Sequence, residues 1–120
     1  KAALPRYGTF VYSDLCWEKE SGDAAGSRFR LSRTRKGARL DYEYGNGGLN
    51  SARIKSLRIE GNKLEAEAET GDGSLRFSAT LDPKKAELST HFEFEQGQAP
   101  EHQVLKRIKN FNQKIRVCRA

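Results

Sequence analysis

The chain contains no methionine, a single tryptophan and only two cysteines. No apolar run approaches the roughly 20 residues that a membrane-crossing helix needs. The cysteines, Cys16 and Cys118, stand near opposite ends, with no Cys-x-x-Cys pair and no Cys/His cluster, which argues against a zinc site. Gly-x-Ser-x-Gly, His-Glu-x-x-His and P-loop motifs are missing too, so the usual signatures of acyl transfer, zinc hydrolysis and nucleotide binding are absent. None of Asn46, Asn50, Asn62, Asn110 and Asn112 has Ser or Thr two residues on, so the chain carries no glycosylation sequon. A chain that begins "KAALPRYG" and lacks Met reads as a mature product whose signal peptide has been removed.

What is present is charge and alternation. Of 120 residues, 32% are charged and 36% hydrophobic, with a net charge of +6 and a pI near 9.5. The length suits one domain, residues 1–120. A basic balance favours anionic partners, though a net charge of this size also serves solubility alone.

Most of the chain has period two, the mark of half-buried strands. In "SRFRLSRTR", Phe29 and Leu31 share a face; in "ARLDYEY", Leu40, Tyr42 and Tyr44 do. "ARIKSLRIE" carries Ala52 and Ile54 in one phase and Leu57 and Ile59 in the other, which predicts a β-bulge between them. "KLEAEAET", "SLRFSATL" and "AELSTHFEFE" alternate in turn. Turn residues at Lys36–Gly37, Gly45–Gly48, Gly61–Asn62, Gly71–Gly73 and Asp82–Lys85 separate the runs. Glu20–Ser27 reads as a small-residue loop. This spacing predicts an all-β fold, an antiparallel meander closing into a barrel of about eight strands. One segment departs from it. Val104, Leu105, Ile108 and Phe111 fall on one face of a helix, with Pro100 and Glu101 at its start, predicting one C-terminal α-helix over 101–112 and then a last strand, "KIRVC".

In the first strand, "TFVYSDLCW", Val11, Leu15 and Trp17 share one phase, and Cys16 takes the more polar other; Cys118 does the same in the last strand. A meander barrel brings first and last strands together, so the two cysteines are expected to form a disulfide joining those strands on the outer surface. A disulfide implies an oxidising compartment, periplasmic or extracellular.

Four candidate sites emerge. The first is the barrel interior. Ala66, Ala68 and Ala79 are small, whereas Tyr42, Tyr44, Phe77, Phe92 and Phe94 are large, and Arg33 and Arg35 continue an inward phase toward the barrel mouth. An anionic amphiphile with its tail inward and its head on the arginines suits such a site; the alternative is a core filled by side chains. The second is a basic surface: Arg28, Arg30, Arg33, Arg35, Lys36 and Arg39 on one hairpin, and Lys106, Arg107, Lys109, Lys114, Arg116 and Arg119 near the end. Nucleic acid would want aromatics interleaved on an exposed face, and the tyrosines instead share a phase with Leu40, which counts against it. The third, catalysis or metal binding at His91 and Glu93, is a two-residue signal on a strand and is outweighed by a solvated surface. The fourth is the loop "WEKESGDAAG", where Glu18, Glu20 and Asp23 crowd one end and invite a protein partner.

"YGTFVYSDLCWEKESGD" leading into "RFRLSR", the run of hairpins and the late helix together resemble small exported bacterial proteins with lipocalin-like barrels. The lipocalin Gly-x-Trp is missing, since Trp17 lies later and has no such Gly before it. The terminal cysteine staple is also similar to that of small periplasmic barrels that inhibit C-type lysozyme, but their Ser-Gly motif has no counterpart in place. The resemblance implies architecture and transfers no functional residue.

The sequence thus points to a non-enzymatic binding protein for a small apolar or amphipathic ligand, with Arg33, Arg35, Tyr42, Tyr44, Phe77 and Phe92 as the candidate ligand-binding residues. It calls for no cofactor and no metal. The alternatives are a protein-binding or inhibitory module acting through its loops, and attachment to anionic surfaces.

Overall fold

The computed structural model describes residues 4–95 and 97–118. The strands are β1 (Gly8–Ser13), β2 (Cys16–Trp17), β3 (Ala24–Ala25), β4 (Ser27–Thr34), β5 (Gly37–Asn46), β6 (Gly48–Glu60), β7 (Lys63–Thr70), β8 (Gly73–Leu81), β9 (Lys85–Phe92), β10 (Glu101–Ile108) and β11 (Arg116–Val117). Eight of them form a closed antiparallel barrel in the order β1-β10-β9-β8-β7-β6-β5-β4. The short strands β11, β2 and β3 make a separate three-stranded sheet.

Local chemistry explains the meander. Gly61, at φ 60°, sets the two-residue turn that pairs Glu60 with Lys63. At the β8–β9 turn, the Asp82 carboxylate accepts the Lys84 and Lys85 amides at 2.7 and 2.8 Å. The phase change in β6 is a register shift between Ile54 and Ser56, as the sequence predicts. Gly45 lies so close under β3 that a Cβ there would overlap the backbone of Ala24 and Ala25.

Inside, aromatic rings touch one another along the barrel, mostly edge to face. Tyr12 meets Phe29 at 5.3 Å between centroids, Phe29 meets Phe77 at 5.3 Å, and Phe77 meets Tyr42 at 4.8 Å. Tyr42 then meets Tyr44, Tyr44 meets Phe92, and at the barrel's end Phe92 meets the exposed Phe94. Small residues make room for the rings: Ala66 stands opposite Phe77 in the register. Leu31, Leu64, Leu75, Leu88 and Leu105 complete the core. Each such burial contributes roughly 1.5–3 kcal/mol.

Four expectations are corrected. No α-helix forms among the described residues; 101–108 is the strand β10. Its helix-like spacing arises because the inward phase of β10 holds Gln103, Leu105 and Arg107, which hides the alternation, and pairing with β9 outweighs local pattern. In β1 the inward residues are Phe10 and Tyr12, opposite Leu31 and Phe29, while Val11 faces outward beside Arg30. The Cys16–Cys118 disulfide exists, with Cα atoms 4.8 Å apart, but it lies in the side sheet. The chain leaves the barrel at Asp14, and β11 pairs with β2 in parallel, so the barrel's own closing contact is β1 with β10. The 20–27 segment is also more ordered than a plain loop, since Ala24–Ala25 is β3 and Ser27 opens β4.

Gly45→Ala is expected to cost about 1–3 kcal/mol in chemical denaturation, because β3 must be pushed off β5. Gly48→Ala, with nothing within 4 Å of its Cβ position, should stay within about 0.5 kcal/mol of the parent. Equal effects at the two positions would show that the close approach at Gly45 carries no weight.

Candidate functional site

The six predicted ligand-binding residues do not form one pocket. Strand phase sends them to one side of the sheet, but the register sets them at different heights. Arg33 pairs with Ala38 near the β4–β5 turn, and Arg35 is exposed in that turn. Tyr44 pairs with Ser27 at the other end, near Phe92. Tyr42 and Phe77 lie between, in contact with each other and buried. The phenols are committed: Tyr42 Oη is 3.0 Å from Ser27 Oγ, and Tyr44 Oη donates to Asp72 at 2.7 Å. Burial pushes the Tyr42 hydroxyl well above the usual phenol range, so it stays protonated.

A site does form around Arg33. The barrel end that carries the β4–β5, β6–β7 and β8–β9 turns opens into a cavity of about 960 Å³. Leu4, Leu81 and Pro83 give it apolar surface, and Arg6, Arg33, Lys84 and Lys85 give it positive charge. Leu4 packs on the core cluster, and Leu81 belongs to it. The acids there are Glu87 and Asp82, whose carboxylate is occupied by the turn amides that hold its pKa below the ordinary value. None of the four cations is in an ion pair among the described residues. Tyr12 Oη donates to the Asp82 carbonyl at 2.6 Å, and the Arg107 guanidinium lies over the Phe10 ring while donating to the Pro83 carbonyl. These contacts fix the β8–β9 turn against β1. Sequence reasoning found Arg33 but missed Leu4, Arg6, Lys84 and Lys85. The turn composition "DPKK" was the available signal for the two lysines.

The two basic clusters come together with β1 between them: Ser13 stands opposite both Arg28 and Lys106. They are not a free basic face. Arg28, 5% exposed, binds the Glu43 carboxylate through Nε at 3.1 Å and donates to the Gln113 carbonyl at 3.3 Å. Arg30 binds Asp41 at 2.8 Å. The Phe111 ring lies against both guanidiniums, at 4.9 and 4.8 Å. The segment after β10 therefore runs as a strap across the outer face of β1 and β4, ending at the disulfide. Arg119 lies outside the described residues.

His91 Nε2 is 2.9 Å from the Glu95 carbonyl, which ties the ring into the turn after β9. The loop with Glu18, Glu20 and Asp23 is a tight turn closed by a Glu18 N–H to Asp23 carbonyl bond of 2.7 Å. At the end of β1, Asp14 Oδ1 accepts the Ser27 N–H at 2.6 Å. Burial raises the Asp14 pKa above the ordinary carboxylate value despite that bond, and the Glu101 charge adds to the rise.

Neither a protein family nor a curated relative nor a solved structure matches this chain. No helix among the described residues is long and apolar enough to cross a membrane.

The raised Asp14 pKa has a definite sign. Folding favours the protonated form, so this group's contribution is present below the unfolded carboxyl value and is lost as pH rises through the higher folded value. Asp14→Asn keeps an acceptor for Ser27 and removes the charge. The variant should be at least as stable as the parent at pH 7, with a flatter stability profile as pH rises above the ordinary carboxyl range. An Asn variant that is weaker at pH 7 and shows the parent profile would refute the assignment.

Proposed function

We propose that this protein binds a small anionic amphipathic molecule, without catalysis, at the basic-rimmed end of the barrel. The observation that carries the reading is the cavity of about 960 Å³ in which Arg33, Arg6, Lys84 and Lys85 surround Leu4, Leu81 and Pro83. An apolar floor favours a hydrocarbon or aromatic body, and cations at its rim without an ion-pair partner among the described residues favour a carboxylate, sulfonate or phosphate head. The ring-filled interior supports a ligand held at the mouth rather than swallowed along the axis. A disulfide between Cys16 and Cys118 supports an oxidising compartment, periplasmic or extracellular. The eight-stranded antiparallel barrel is compatible with the resemblance to lipocalin-like proteins, which enters here as part of the same proposal.

The test uses anilinonaphthalene sulfonate as an anionic amphipathic probe, followed by dodecanoate as competitor. Saturable fluorescence enhancement is expected, displaced by dodecanoate and weakened by salt. Arg33→Glu should lower probe affinity by about tenfold, since one charge-assisted contact is worth roughly 1.5–3 kcal/mol and the reversed charge repels. Arg39→Glu, on the outer face beside Asp41, should leave it unchanged. Equal affinity in the two variants would overturn the reading.

A further inference from the structure

The barrel is closed by a short contact. Strand β1 pairs with β10 only at Val11–Ile108, Tyr12–Arg107 and Ser13–Lys106. Strand β10 continues to Glu101, paired with β9 throughout. Beyond Ser13 the chain stays with β4, through the Asp14 N–H to Ser27 carbonyl bond of 3.0 Å, and then departs into the side sheet. Among the described residues, Glu101–Leu105 are therefore paired on one side only.

The alternation of an antiparallel ladder says which groups are left over. The Arg107 N–H bonds the Lys84 carbonyl, on the β9 side. Leu105, Gln103 and Glu101 share that direction, so His102 and Val104 turn their amide N–H and carbonyl groups toward the lane that β1 vacates. Neither residue's backbone has a hydrogen bond to a loop or side chain among the described residues. The Val104 side chain is 58% exposed beside this lane. Gln103, between His102 and Val104 and on the inward phase, has a buried Oε1 with no hydrogen-bond partner among the described residues. Asp14 and Glu101 flank the lane, and neither is in an ion pair among the described residues. Pro100 and Lys106 bound the open edge, and both are residue types that discourage unlimited edge-to-edge growth.

We infer that this seam is a strand-addition site for an extended peptide of a partner protein, laid antiparallel to β10 in the lane that β1 leaves, with an apolar side chain against Val104 and a basic one facing Asp14 and Glu101. Unpaired amide N–H and carbonyl groups in strand spacing match another backbone better than any small molecule, and main-chain bonds then supply affinity while side chains supply selectivity. The two carboxylates without cationic partners set the sign of the peptide's charge. Short length and the flanking Pro100 and Lys106 select a short heterologous segment over a second copy of the chain. This surface is separate from the basic-rimmed mouth, and either can fail without the other.

The probe is the synthetic peptide Lys-Val-Thr-Val-Lys, added to the full disulfide-bonded protein while amide hydrogen exchange is followed by residue. The His102 and Val104 amides should exchange quickly in the free protein and slow by about tenfold or more with millimolar peptide. The same peptide N-methylated at its central residues should give no slowing, because it loses its main-chain donors. Val104→Pro removes an N–H that faces the seam and none that bonds β9, so it should keep the fold and weaken peptide binding by about tenfold. Glu101→Lys provides a second variant on an exposed side chain, with the same direction expected for this cationic peptide. The inference is overturned if His102 and Val104 are already protected in dilute free protein, if the N-methylated peptide binds equally well, or if Glu101→Lys leaves affinity unchanged. Protection that grows with protein concentration alone would assign the seam to a second copy and overturn it as well.

Discussion

The structure depends on one closure: β1 must lie between β4 and β10. Those partners are far apart in sequence, and the loop entropy of joining them is spent on three register pairs with β10. The devices that hold this closure are concentrated around it. Tyr12, the middle residue of the contact, anchors its ring on Phe29 inside and its hydroxyl on the Asp82 carbonyl. Arg107, its partner across the ladder, covers Phe10 and bonds the β8–β9 turn. Outside, the strap lays Phe111 on Arg28 and Arg30, and the disulfide fixes its end beside β2. A crosslink spanning 102 residues removes much denatured-state entropy, about 4–5 kcal/mol in the simple chain model. That stabilisation acts on the step that local sequence supports least.

The strap also accounts for the buried cation. Arg28 would be costly at 5% exposure if it were unpaired. Glu43 neutralises it, the Gln113 carbonyl takes another donor, and the Phe111 ring shields one face. Loss of any one partner leaves a desolvated guanidinium, so the hairpin β4–β5 and the strap form one interdependent unit. The high charge content thus has two distinct roles. Some cations, such as Arg28 and Arg30, are structural ties, while Arg6, Arg33, Lys84 and Lys85, around the mouth, have no ion-pair partner among the described residues.

The meander was legible because its signals are local. Turn residues, period-two alternation and the phase change in β6 each reflect a few neighbouring residues. Two failures have a common cause in nonlocal burial. In β1, Phe10, Val11 and Tyr12 are all buried, because the strap covers the outer face, so alternation there carried no information about direction. In β10 the inward phase includes the polar Gln103 and Arg107, the latter reaching the β8–β9 turn at the barrel's end. The candidate site was partly legible for a related reason. Phase tells which side chains face inward, but not their height along the axis. Arg33 and Tyr44 share an inward phase and lie at opposite ends, since one sits close to the β4–β5 turn and the other opposite Ser27.

The aromatic column then decides how the two proposed surfaces relate. It fills the axis from Tyr12 to Phe92, so a ligand at the mouth has no route through the interior toward the other end. Coupling between sites requires an element with two arrangements that both sites bias. The shared element is β1, whose Gly8 stands opposite Arg33 at the mouth and whose Ser13 ends the contact at the seam. Its inner face is wedged among the rings and its outer face is clamped by the strap. A strand held on both faces has little freedom to shift register, because a one-residue slip would move Phe10 and Tyr12 out of the core. The proposed mouth and seam sites are therefore expected to behave independently, and the seam's open backbone is a feature of the fold that does not wait on the mouth.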